Sequence, residues 1–128
     1  MKFKLVPFFL LIIISTQATA LDKVNSVYGG LVQQTDHAIF ELVDSESKTD
    51  IYIRDPKKKN LANEKLSIAA VAEVHGKKYN LALNFEKDHY NLGSMGAYSK
   101  IKNEKNFILT FTINFAGKEE KTSFHIGK

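Results

Sequence analysis

The chain is predicted to fold as an all-β protein, a two-layer antiparallel β-sandwich of about seven or eight strands. Three observations predict it. Apolar side chains alternate with polar ones in several short runs, the period of a strand with one buried face. After the first 20 residues, no stretch of 11 residues or more keeps a helical period. Glycine, proline and lysine-rich turns break the runs at short intervals. The chain has 128 residues, 44% of them apolar and 25% charged. That composition suits one folded domain, with no room for a second domain and an interdomain cleft.

Residues 1–20 read as a cleaved secretory signal. Lys2 and Lys4 precede an apolar run from Leu5 to Ile14, and Ala18-Thr19-Ala20 supplies the small-x-small cleavage pattern. The run is too short for a comfortable membrane anchor, which needs about 20 apolar residues. The expected domain is therefore residues 21–128, in the periplasm or secreted from a bacterium, with no integral membrane segment after cleavage. The absence of cysteine excludes disulfides, thiolate metal sites and cysteine nucleophiles. The formal charge of +4 also changes meaning, because Lys2 and Lys4 leave with the leader. The remainder carries 16 basic and 14 acidic residues, a net +2.

The strands follow in order. Tyr28-Gly29-Gly30-Leu31-Val32 places two glycines before a short first strand. They mark a bend at a sheet edge, or one end of a surface groove that includes Tyr28. Phe40 and Leu42 share a face in the run from His37 to Val43, as do Ile51 and Ile53 in the next. Asp55-Pro56 stops that strand, and Lys57-Lys58-Lys59 forms the solvated loop after it. Leu66, Ile68, Ala70, Ala72 and Val74 alternate cleanly. His75-Gly76-Lys77-Lys78 then turns into a strand carrying Tyr79, Leu81, Leu83 and Phe85 on one face. A weaker strand is expected from Tyr90 to Met95. Phe107, Leu109, Phe111, Ile113 and Phe115 give the strongest strand pattern, and Ala116-Gly117 turns it into a last strand with Thr122, Phe124 and Ile126. No helix is expected in this region.

Catalytic constellations are sparse. Gly93-Ser94-Met95-Gly96 lacks the spacing of a nucleophile elbow, and no helix is expected after it. Glu119 and Glu120 are adjacent on a strand, so their carboxylates point to opposite faces. Nucleic acid is not an expected partner, because the lysine loops carry few aromatics to stack on bases. No enzyme activity is expected.

The metal-ligating candidates are His37, Glu73, His75 and His89. Glu73 and His75 fall at i, i+2 on one expected strand face. Asp88-His89 forms a local pair in the loop expected before Tyr90. Imidazole and carboxylate donors suit a divalent ion such as copper(II), zinc or nickel, provided three or four converge. The alternative is a set of exposed histidines at strand ends that titrate near neutrality.

The order Tyr28-Gly29-Gly30, Glu41-Leu42-Val43, Ile51-Tyr52-Ile53-Arg54-Asp55, the hairpin at Gly76, Asn91-Leu92-Gly93 and Phe124 resembles a family of small exported bacterial domains. Those domains look like immunoglobulin-type sandwiches. They occur alone or near the N-terminus of periplasmic adaptor subunits of heavy-metal efflux pumps. The resemblance implies an immunoglobulin-like fold and a non-enzymatic binding or accessory role, with an efflux adaptor or another envelope protein as partner. The family's leading histidine is replaced here by Tyr28. If that histidine ligates metal in relatives, His37 is the nearest remaining donor. The competing expectation is an envelope or host-surface interaction module with no metal role.

Overall fold

Alternating side chains produce two stacked antiparallel sheets in the computed structural model, which describes residues 25–44, 48–92, 97–115 and 117–127. The expected leader, residues 1–20, lies outside the described residues, as does the segment Gly93–Gly96. Nine strands are present among the described residues: β1 (Leu31–Gln34), β2 (Ile39–Asp44), β3 (Thr49–Arg54), β4 (Ser67–Val74), β5 (Lys77–Leu81), β6 (Asn84–Glu86), β7 (His89–Asn91), β8 (Asn106–Phe115) and β9 (Lys118–Gly127). One sheet has the order β1-β2-β3-β7-β6 and the other β5-β4-β8-β9.

The core lies between them. Phe40, Leu42, Ile51, Ile53 and Tyr90 face inward from the five-stranded sheet. Ala70, Ala72, Leu109, Phe111, Ile113 and Phe124 face inward from the four-stranded sheet. The Phe40 and Phe111 rings join the layers with centroids 6.5 Å apart, and Phe124 meets Phe111 edge-on at 5.8 Å. Each of the buried Leu, Ile and Phe side chains stabilises the fold by about 1.5–3 kcal/mol. The two-layer sandwich read from the sequence is thus present.

Three details differ from the sequence reading. A short helix, α1 (Ala97–Ile101), interrupts the all-strand order. It buries Tyr98 and Ile101 against the core, with the Tyr98 hydroxyl 2.9 Å from Thr49 Oγ1. Five residues are too few to show a helical period, so no pattern announced it. Second, the run from Tyr79 to Phe85 is two strands in different sheets. The chain leaves β5 after Leu81 and enters β6 at Asn84, crossing from one layer to the other. Alternation survives the crossing because Leu81, Leu83 and Phe85 all meet the same core. Third, the strand expected from Tyr90 to Met95 is β7, which starts at His89 and ends at Asn91. Its partner β6 is reached through a two-residue turn at Lys87-Asp88. His89 therefore sits on a ladder rather than in a loop.

His75 and Gly76 both have positive φ, at 52° and 82°. That is the backbone of a type I′ hairpin, whose twist matches the flanking strands. The strand ends at Val74, so His75 does not continue the face that carries Glu73.

Candidate metal centre

The outer face of the five-stranded sheet carries an unusual set of polar groups. Glu41, Tyr52, His89 and Glu86 follow one another across β2, β3, β7 and β6. Asp50 and Asn91 pair in the next row. Residues 25–30 run across part of this face. The Glu41 carboxylate is fully buried beneath them and accepts backbone N–H bonds from Val27, Tyr28 and Gly30, each 2.8 Å long. Arg54 donates to the same carboxylate at 3.1 Å and to the Asn25 carbonyl at 3.1 Å. Burial pushes the Glu41 carboxyl up. The three N–H donors and the guanidinium outweigh that and hold it below the usual carboxylate range.

The two glycines make this crossing feasible. Gly29 has φ of 78°, and a Cβ on Gly30 would lie 2.2 Å from the Leu42 carbonyl oxygen. A side chain at Gly30 would push residues 25–30 off the sheet. Gly29 and Gly30 also line a cleft of about 280 Å³ with Leu31, Leu42, Tyr98 and Phe107. Tyr28, grouped with these glycines in the sequence reading, does not line this cleft; it lies over Tyr52 instead.

Tyr28 anchors the crossing segment by stacking on Tyr52, with ring centroids 3.8 Å apart and planes 18° apart. Tyr52 in turn stacks on His89 at 4.5 Å. Burial raises the Tyr52 phenol above its ordinary value, with Asp50 adding to the effect. The stack fixes the plane of the His89 imidazole, whose side chain is only 10% exposed.

His89 Nδ1 lies 2.9 Å from Asp88 Oδ1. An ionised carboxylate only accepts, so Nδ1 carries the proton and donates. In the neutral ring, Nε2 then holds a lone pair. It is directed toward Asp50 Oδ1 at 3.4 Å and Glu86 Oε1 at 3.6 Å. Nε2 and Asp50 Oδ1 are both buried and neither has a hydrogen-bond partner. Two facing lone-pair atoms repel, and a cation between them, a second proton on the ring or a metal ion, would relieve that. The spacing fits a metal. Ligand atoms at about 2.0–2.2 Å from a tetrahedral ion are about 3.3–3.6 Å from one another. Asp88 supplies the carboxylate that orients a ligating histidine through its far nitrogen.

Glu86 is also engaged from the other side. Lys48 Nζ lies 2.8 Å from Glu86 Oε1 and 4.0 Å from Asp50 Oδ1, and Asn91 Nδ2 donates to Glu86 Oε1 at 3.1 Å. Lys48 holds the Glu86 carboxyl below its usual range, and Glu86 raises the Lys48 ammonium.

The sequence candidates are dispersed. Only His89 belongs to this cluster; its other donors are Asp50 and Glu86. Among the described residues, this is the one group of three such side chains with ligand atoms all within 4.8 Å of one another. His37 lies near the β1–β2 turn and bonds Glu120, which Thr35 also contacts. Burial raises the Glu120 carboxyl, but Thr35 and His37 bring it below the ordinary value. His75 is exposed and lies 3.3 Å from Glu104. Glu73, His75 and His125 line an open depression on the other sheet without converging. The missed donors had one readable signal. A two-residue turn at Lys87-Asp88 makes Glu86 and His89 cross-strand partners. Asp50 is contributed by a strand far away in sequence, which spacing cannot show.

The chain has no significant match among protein-family models, curated proteins or solved structures.

Proposed function

We propose that the protein is a non-enzymatic, exported metal-ion-binding module whose ligands are Asp50, Glu86 and His89. The observation that carries this reading is the facing pair of buried, partnerless atoms, His89 Nε2 and Asp50 Oδ1. One imidazole and two carboxylates suit zinc or another divalent first-row ion, and the absence of cysteine argues against a thiolate-based copper(I) site. A three-residue set leaves a fourth position for water or a donor from a partner, as an accessory protein that hands on metal requires. A role beside an efflux adaptor belongs to this reading and is supported by the sequence resemblance.

Calorimetric titration with zinc, copper(II) and nickel tests it. Stoichiometric binding at micromolar or tighter affinity is expected. His89→Ala should abolish it, while His37→Ala and His75→Ala should leave it unchanged. Binding only at millimolar metal, or binding indifferent to His89, contradicts the proposal. Protonated His89 with no metal affinity is the result that returns the cluster to a structural role.

A second reading has its own observation. Val27, Tyr28 and Leu31 are exposed apolar residues on and beside β1, an edge strand of the five-stranded sheet. An exposed edge accepts a partner strand, so this rim suits an envelope or host-surface protein. Loss of a partner on Leu31→Lys, with metal binding intact, would favour it.

A further inference from the structure

We infer that Lys48 is an internal competitor for the metal, a tethered ammonium that neutralises Glu86 while the site is empty and must withdraw when an ion enters. The inference rests on the metal-binding reading and concerns how the site is regulated. Lys48 Nζ bonds Glu86 Oε1 at 2.8 Å, the same oxygen that lies 3.6 Å from His89 Nε2. It therefore acts on one of the three donors directly. It does not complete the site, since Asp50 Oδ1 at 4.0 Å is beyond hydrogen-bond reach and keeps no partner.

The two halves of the cluster are thus treated differently. Glu86 has a mobile cation available, because the Lys48 side chain is 37% exposed and Glu86 43% exposed. Asp50 Oδ1 and His89 Nε2 are buried atoms that no hydrogen bond satisfies. An ammonium beside two carboxylates and an imidazole limits mutual repulsion in the metal-free cluster. Its positive charge also opposes a dication a few ångströms away. Asn91 Nδ2 stays on Glu86 at 3.1 Å and can keep that carboxylate aimed at the site after the lysine leaves. A lysine suits this task because its point charge rides on a flexible stem and makes no fixed two-pronged contact. The consequence is a weaker but more readily released metal.

The experiment compares zinc affinity in wild type, Lys48→Met and Lys48→Arg at low salt. Methionine keeps most of the stem and removes the charge, while arginine keeps the charge. Lys48→Met should bind zinc about tenfold more tightly or better, as expected for removing one nearby cation at intermediate dielectric. Lys48→Arg should stay at or below wild-type affinity. In wild type, the NMR signal of the Lys48 ε-methylene should move toward that of solvated lysine as zinc saturates, a readout that needs no variant. Equal or weaker binding by Lys48→Met, or an unmoved Lys48 signal at saturation, overturns the inference and leaves the metal site standing. If neither wild type nor Lys48→Met binds zinc through His89, the metal-binding reading fails and this inference with it.

Discussion

The two outer faces of the sandwich obey the same alternation and end in different states. On the four-stranded sheet, Ala69, Val71, Thr110, Thr112 and Ser123 point outward, with Thr110 and Ser123 hydroxyls 2.8 Å apart. Its outward histidine, His125, is exposed. That face is an open surface of hydroxyl and small side chains with charged residues such as Glu73 and Lys121 among them. On the five-stranded sheet, residues 25–30 cover a buried Glu41–Arg54 pair, and the outward histidine is stacked on Tyr52 and nine-tenths buried. The difference teaches that strand period decides which side chains point away from the core. What then covers them is decided by a segment outside the strands.

The largest expected effect separates the faces outright. Glu41→Ala should destabilise the fold by about 3–5 kcal/mol, because it leaves the Arg54 guanidinium buried without its partner. Glu73→Ala, on the other outer face, should stay within about 0.5 kcal/mol. Urea unfolding of the two variants measures the contrast, and equal effects would erase it.

Acid should act on the same contact. The folded Glu41 carboxyl lies below its ordinary value of 4.5, so its contribution is full above that pH. The contribution is lost as pH falls through the depressed folded value. The stability gap between wild type and Glu41→Ala should therefore be constant near neutrality and narrow in acid. A gap that widens on acidification would reverse the assigned sign.

A smaller effect is expected at the edge of the covered face. Tyr28→Ala removes the outer ring of the Tyr28–Tyr52–His89 stack and should cost about 1 kcal/mol. The smallest is Thr110→Val on the open face. It loses one hydroxyl contact but keeps a β-branched side chain, and its unfolding midpoint should correspond to a change of no more than about 0.5 kcal/mol.

Much of this architecture was legible in the residues, and the exceptions have physical causes. Alternation from Phe107 to Phe115 and from Leu66 to Val74 marked β8 and β4, because a two-residue period needs only a few positions to show. The five-residue α1 was too short to reveal a period. The crossing between Leu81 and Asn84 left no trace, since both sheets bury their residues in one core. Tyr28, Gly29 and Gly30 stood out as unusual, and their place on the outer face explains why. His89 was recognisable as a donor. Its partners were hidden because Asp50 reaches it across β3 and β7, a pairing that strand order alone creates.

The most direct test of the central claim is anomalous diffraction from crystals of the protein grown with equimolar zinc. The account predicts a zinc peak bounded by His89 Nε2, Asp50 and Glu86, with the Lys48 ammonium withdrawn from Glu86. A His89 ring hydrogen-bonded through both nitrogens, with zinc absent there or bound only at exposed histidines such as His75 and His125, would contradict it.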